Sequence, residues 1–244
     1  MEHWEEFCPG GLKFVYEDGL FRPGTDSFLL SSLPRLKPGL RTIDLGCGTG
    51  LLGLLLLQRQ PGLQVTGLEL QPRAAELGQR CAAENHIEDR FTVLRGDLRE
   101  VKALFPTGRF DLAVCNPPYY EPHRGKTAES GPLRSARSEV TCTLEDVCAA
   151  AKYLLRWGGS LCLVHKPERL TDVLCALRAH QMEPKRLRFV CKTPSAAPSL
   201  VLVEGRRGGS PGLTVEPPLI LETPEGTPTA EVEAIYFRKQ EETS

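Results

Sequence analysis

The chain has 244 residues, 41% of them hydrophobic and 25% charged, which is enough apolar material for one sizeable globular core and excludes a disordered chain. A formal net charge of −1 excludes a global pull toward nucleic acid, so any such partner must be held by a local patch. The longest apolar run, LLGLLLL, is closed by Gln58 and Arg59 and is too short to cross a membrane.

The N-terminus, MEHWEEFCPGG, is acidic and lacks the basic start and apolar stretch of a signal peptide, so a cytoplasmic protein without a membrane partner is expected. Nine cysteines, an odd number with no C-x-x-C pair, then read as reduced thiols rather than disulfides or metal ligands. Most, including Cys115, Cys162 and Cys175, fall in apolar runs and are expected to act as small core residues. A monomer is favoured, and no metal site is expected.

From residue 41 onward strand-like and helix-like stretches alternate: RTIDL, LLGLLLLQRQ, QVTGLEL, RAAELGQRCAAENH, FTVLRGD, FDLAVC, LEDVCAAAKYLLRW, GSLCLVH, RLTDVLCALRAH and RLRFVC. This alternation predicts βαβ units and a mostly parallel sheet with helices on both faces, an α/β Rossmann-like doubly wound fold. SLVLVEGRRGG and LTVEPPLILE read as two further strands joined by a Gly-rich turn, forming a C-terminal antiparallel hairpin at the edge. No internal repeat is found. The organisation expected is an N-terminal segment over residues 1–40 and one domain over 41–240. Residues 121–138 are polar and long for a connection, a candidate lid; the charged tail after residue 240 is expected to fray.

Three strand ends carry acidic or glycine-rich signals. TIDLGCGTG places Asp44 before Gly46, Gly48 and Gly50, whose missing Cβ atoms permit a tight turn and a close backbone approach to a ligand at the start of the next helix. The G-x-G-x-G spacing fits a dinucleotide fingerprint poorly. TGLEL ends in Glu69, a carboxylate suited to both hydroxyls of a ribose, and RGD ends in Asp97, suited to an adenine amino group. Each alone has a plainer role as loop or helix cap; three at successive strand ends point to a nucleotide-like ligand.

The fourth strand, FDLAVC, runs into NPPYY. Prolines stop the strand because they cannot donate to the ladder, so Asn116, Pro117, Pro118 and Tyr119 form a stiff loop at a strand's C-terminal end, where open α/β sheets bind ligands. In their order along the chain, DLGCGTG, GLEL, GD and NPPY resemble the class I S-adenosylmethionine-dependent methyltransferases. That resemblance implies S-adenosylmethionine as cofactor, with Asp44 toward its amino-acid end, the glycines along it, Glu69 at the ribose and Asp97 at the adenine.

NPPY then has a chemical purpose. An exocyclic amine or amide nitrogen is a poor nucleophile because its lone pair is delocalised. If the Asn116 carboxamide oxygen and the Pro117 carbonyl both accept from one NH2 group, they favour a pyramidal nitrogen aimed at the methyl group, and Tyr119 offers a face on which a base can stack. The motif is shared by methyltransferases of adenine N6, cytosine N4, guanine N2 and protein glutamine.

Further pieces resemble the bacterial tRNA adenine-N6 methyltransferase family that modifies an anticodon-adjacent adenine of a valine tRNA: FRPGTDSFLLSS, NPPYY with its second tyrosine Tyr120, SARSEVTCTLEDV, GGSLCLVHKPERL and PTAEVEAIYF. The resemblance spans roughly residues 10–238 and implies a helix closing over the cofactor with Thr25 and Asp26 as its cap and contact, Arg137 near the target pocket, and tRNA as partner. The RPGTD segment also resembles, more loosely, release-factor glutamine methyltransferases.

Phosphate binding needs a basic cluster. Between residues 166 and 192 seven basic residues stand against three acidic ones, with Lys185, Arg186 and Arg188 close together and Arg206 and Arg207 following in the later turn. His165 is expected to hydrogen-bond within the structure rather than to catalyse. The rival functions are a protein-glutamine or small-molecule N-methyltransferase using the same NPPY site, and a non-catalytic RNA- or nucleotide-binding module.

Overall fold

The computed structural model describes residues 1–19, 24–117 and 142–238. Its centre is a nine-stranded sheet. The parallel part comprises β3 (Arg41–Leu45), β4 (Gln64–Glu69), β5 (Phe91–Arg95), β6 (Phe110–Cys115) and β7 (Leu155–His165), in the order β5-β4-β3-β6-β7. Helices α2 (Leu51–Arg59) and α3 (Pro72–Glu84) carry the chain from β3 to β4 and from β4 to β5. The short α4 (Val101–Leu104) precedes β6, α5 (Leu144–Leu154) precedes β7, and α6 (Leu170–Ala179) leads to β8 (Met182–Cys191).

Alternation along each buried strand sorts side chains to two cores, one per face. In β6, Leu112 and Val114 join the core under α2 and α3, while Ala113 and Cys115 join the one under α4, α5 and α6. The sequence of α2 has no polar face, and the structure explains why: Leu51 to Leu57 are all buried, because a further helix, α1 (Thr25–Ser31), packs on the side away from the sheet. Seven residues make α1 too short to hold helical form alone, since isolated helices below about 12 residues are marginal. Burial stabilises it: Leu29 and Leu30 are fully enclosed, each contributing roughly 1.5–3 kcal/mol. Aromatic contacts add to this, with Phe28 stacked on Tyr236 at 4.5 Å and edge-on to Phe7 at 5.9 Å.

The segment before residue 41 also contains an antiparallel pair, β1 (Glu2–Glu6) and β2 (Lys13–Glu17). It is tied to α3 by Lys13, whose backbone exchanges two 2.7 Å bonds with the Asn85 amide, and by Arg73 and Arg80, which bond Glu2. Helix α5 starts at a capping box in which Thr143 and Asp146 satisfy each other's backbone N–H.

The C-terminal edge corrects the expected pairing. β9 (Pro198–Arg207) lies between β7 and β8, antiparallel to both, so the antiparallel hairpin is β8–β9. The residues read as its second strand form two short pieces, β10 (Thr214–Val215) and β11 (Leu219–Ile220), which run parallel to β8 on its outer side. They do not pair with β9. β8 offers a second edge once β9 occupies the first, and the returning chain fills it before α7 (Ala230–Ile235).

Cys175 is likewise corrected. On α6 the inward face is Val173, Ala176 and Leu177, which turns Cys175 to the exposed side. Cys115 and Cys162 are buried as free thiols. Among the described residues no helix is long and apolar enough to cross a membrane.

Candidate active site

β3 is flanked by β4 on one side and by β6 on the other, so the chain's strand order reverses at β3 and opens a crevice at the carboxyl ends of these strands. The turn after β3 lines it. Gly46, Gly48 and Gly50 have φ of 72°, 56° and 86°, the left-handed region that glycine adopts without a Cβ penalty. At Gly46 and Gly48 a Cβ would meet nothing within 4 Å, so open space lies beside the backbone there. At Gly50 the demand is steric as well, because a Cβ would stand 2.6 Å from the Phe91 ring.

Asp44 sits under this turn and is buried, with 1% exposure. Its Oδ2 has no hydrogen-bond partner among the described residues. Burial pushes its carboxyl up to about 7, opposed by the Gly53 backbone N–H and reinforced by the nearby Glu69. A buried carboxylate with an unused oxygen calls for a cationic or N–H donor.

Glu69, at the end of β4, is held differently. The Gly48 N–H donates to its Oε2 and the Gln71 N–H to its Oε1, both at 2.8 Å, so the carboxylate braces the glycine turn while each oxygen keeps a further lone pair for ligand hydroxyls. Asp97, beyond β5, carries out the plainer role weighed for it. It caps a 3-10 turn by accepting from the Arg99 N–H at 2.8 Å and pairs with the Arg99 guanidinium at 2.5 Å, which lowers its carboxyl below the usual range.

Asn116 follows β6, half-buried, and Pro117 beside it is buried. The Asn116 Nδ2 donates to Ser27 Oγ at 3.1 Å, bringing α1 to the site across 89 residues of sequence. Sequence reasoning missed Ser27, although it adjoins Thr25 and Asp26. The cap assigned to Thr25 and Asp26 is corrected: the N-cap of α1 is Gly24, without a side-chain cap, and Thr25 and Asp26 occupy its first turn, bonded to each other at 3.2 Å. Tyr119, Tyr120 and Arg137 lie outside the described residues, as does the candidate lid.

The basic cluster is largely committed within the fold. Arg186 is the clearest correction: its guanidinium pairs with Glu204 at 2.5 Å and Glu216 at 3.0 Å and donates to the Leu33 carbonyl, leaving 12% of the side chain exposed. Two carboxylates and a carbonyl leave it no face for phosphate. Arg188 makes two bonds to Glu231, at 2.6 and 2.8 Å, and Lys185 donates to the Ser210 carbonyl. β8 runs parallel to β7, so its carboxyl end, with Lys192, stands on the crevice side, whereas Lys185 belongs to the other half of the strand. His165 is buried and accepts from the Lys166 N–H through Nδ1 at 2.9 Å; burial lowers its pKa and keeps the ring neutral.

An unsatisfied buried carboxylate beneath a turn with room for backbone approach is what an amino-acid-bearing sulfonium nucleoside requires of its host. Strand order and crevice together are those of the class I methyltransferase fold, whose methyl donor is S-adenosylmethionine.

The chain belongs to the methyltransferase small domain family, whose profile matches residues 13–180, and within it to the tRNA1(Val) (adenine(37)-N6)-methyltransferases. The relative of that name from Porphyromonas gingivalis is 34% identical over 196 residues, covering 76% of this chain and 74% of its own. The one from Dickeya chrysanthemi is 30% identical over 215 residues, covering 86% and 84%. Among solved structures, a predicted O-methyltransferase from Agrobacterium tumefaciens superposes with a TM-score of 0.71 at 24% identity, over 88% of this chain and 98% of that one, and shares the fold.

Proposed function

We propose that this chain transfers a methyl group from S-adenosylmethionine to the exocyclic N6 of an adenine in a tRNA anticodon loop, in the cytoplasm. The observation that carries the reading is the juxtaposition at one crevice of the cofactor-type acids Asp44 and Glu69, on adjacent strand ends, with the Asn116-Pro117 pair at the end of β6 on the other side of β3. The names of the relatives direct it to tRNA adenine.

The bound cofactor supplies an electrophilic methyl group and its own leaving group. Asp44 would hold the cofactor's ammonium, and Glu69 its ribose hydroxyls. The Asn116 carboxamide oxygen and the Pro117 carbonyl accept the two hydrogens of the adenine amine, which draws the nitrogen out of conjugation and directs its lone pair at the methyl carbon. The nitrogen that gains the methyl group as the sulfonium S–CH3 bond breaks would be cationic and acidic, and would shed one proton to solvent without a dedicated base. By the family resemblance, Tyr119 would supply the face on which the target base stacks, and Tyr120 and Arg137 would be further RNA contacts. Lys192, at the crevice end of β8, would contact phosphate further out, with Lys185 at most at its margin.

The test is transfer of labelled methyl from S-adenosylmethionine to total tRNA lacking N6-methyladenosine, followed by nucleoside analysis. Label in N6-methyladenosine supports the reading. Cofactor binding by calorimetry with no label in tRNA overturns it in favour of a protein or small-molecule amine.

A further inference from the structure

We infer that Ser27 is a positioning residue for Asn116, holding the amide so that its oxygen edge faces the acceptor amine. The inference rests on the methyl-transfer reading above and adds to it a residue outside the NPPY motif.

A carboxamide has two chemically opposite edges, an accepting oxygen and a donating NH2, and rotation about its last torsion exchanges them. An adenine amine presents only donors on the side that must be gripped. An amide turned the wrong way would set N–H against N–H and lose the acceptor on which the mechanism depends. Once the oxygen edge is committed to the amine, the Nδ2 edge of this half-buried side chain needs an acceptor on the side of α1, since a buried donor without one is costly.

Ser27 is placed to be that acceptor. It is the third residue of α1, 5% exposed, with Oγ 3.1 Å from Asn116 Nδ2. The helix is itself fixed from behind. Leu29 and Leu30 are buried against the core, Phe28 stacks on Tyr236, and Arg59 donates to Ser31 Oγ at 2.9 Å. The amide's orientation is therefore referred to a rigid neighbour. Because Thr25 and Asp26 share the same turn, the helix expected to close over the cofactor also sets the acceptor geometry.

The experiment compares Ser27→Ala, Asn116→Ala and the double variant with the parent, reading single-turnover rate, cofactor affinity, tRNA affinity and melting temperature. Alanine is the better helix former, so α1 is expected to persist. Loss of one neutral hydrogen bond corresponds to a rate about 3- to 10-fold lower for Ser27→Ala. Cofactor and tRNA affinities should stay within about twofold of the parent, and the double variant should be no slower than Asn116→Ala alone. Amide NMR should show the Asn116 Nδ2 protons exchanging faster in Ser27→Ala.

A parental rate in Ser27→Ala beside an inactive Asn116→Ala overturns the role of Ser27 and leaves the reaction intact. So does a Ser27→Ala penalty that persists in full in the Asn116→Ala background. A parental rate in Asn116→Ala overturns Asn116 as the acceptor for the amine and the role of Ser27 with it, whereas a parent that binds cofactor but transfers no methyl group to tRNA overturns the methyl-transfer reading itself.

Discussion

The crevice below β3 and the outer edge at β8 treat their charged groups in opposite ways. At the edge, Arg186 has every direction filled by Glu204, Glu216 and the Leu33 carbonyl, and Ser160 donates to Glu204 at 2.9 Å from the far side. In the crevice, Asp44 is more deeply buried yet keeps an unused oxygen, and burial pushes its carboxyl up to about 7. A saturated buried charge belongs to the architecture. One left short of a donor stores a demand that a ligand fulfils.

This contrast is broken most sharply at Arg186. Arg186→Ala leaves buried Glu204 with only the more distant Arg206 guanidinium, 3.9 Å away, among the described residues, and we expect a loss of about 3 kcal/mol in unfolding free energy, measured by urea denaturation. The methyl-transfer rate per folded molecule should be unchanged. A smaller loss together with weaker tRNA binding would return Arg186 to the RNA surface.

Asp44→Asn probes the other side of the contrast through pH. Burial pushes the folded carboxyl up to about 7, above the ordinary aspartate value of 3.8, so the native state holds the proton more tightly than the unfolded chain. Ligand-free stability attributable to this group is therefore fully present below the unfolded value and falls as pH rises toward 7. If Asp44 holds the cofactor's ammonium as proposed, cofactor binding has the opposite sign, because that contact needs the ionised form: affinity should weaken roughly tenfold from pH 8 to pH 6 in the parent. Calorimetry of Asp44→Asn should show weaker binding with that dependence gone. A parental pH profile would mean that Asp44 does not meet the cationic group.

The smallest effect is expected at Lys185. It donates to the Ser210 carbonyl and stands in the half of β8 away from the crevice, so Lys185→Ala should leave the rate unchanged and reduce the slope of log tRNA affinity against log salt by at most about 1. No change in slope would remove it from the RNA surface.

What was legible in the sequence follows the range over which each signal acts. Asp44, the glycines and Glu69 were readable because a strand end, a turn and the next strand end are local, and the φ values at Gly46, Gly48 and Gly50 confirm the backbone reading. Strand order at the C-terminal edge was not, since the pattern of β9 says that it is a buried strand and not which neighbours bury it. The basic cluster misled for a related reason: the carboxylates that occupy Arg186 and Arg188 lie 18, 30 and 43 residues further along, invisible to a local charge count. Asp97 and Arg99 are two residues apart, and the cap they form was legible as the plainer alternative. Ser27 had no local signal pointing to Asn116.

The most direct test of the account is the Asn116→Ala variant, assayed in a single turnover with tRNA alongside calorimetry of the cofactor. The account predicts a rate of N6-methyladenosine formation lower by about two orders of magnitude or more, as for removal of an electrostatic partner at a reacting centre, with cofactor affinity little changed. A variant that methylates tRNA at the parental rate would contradict it.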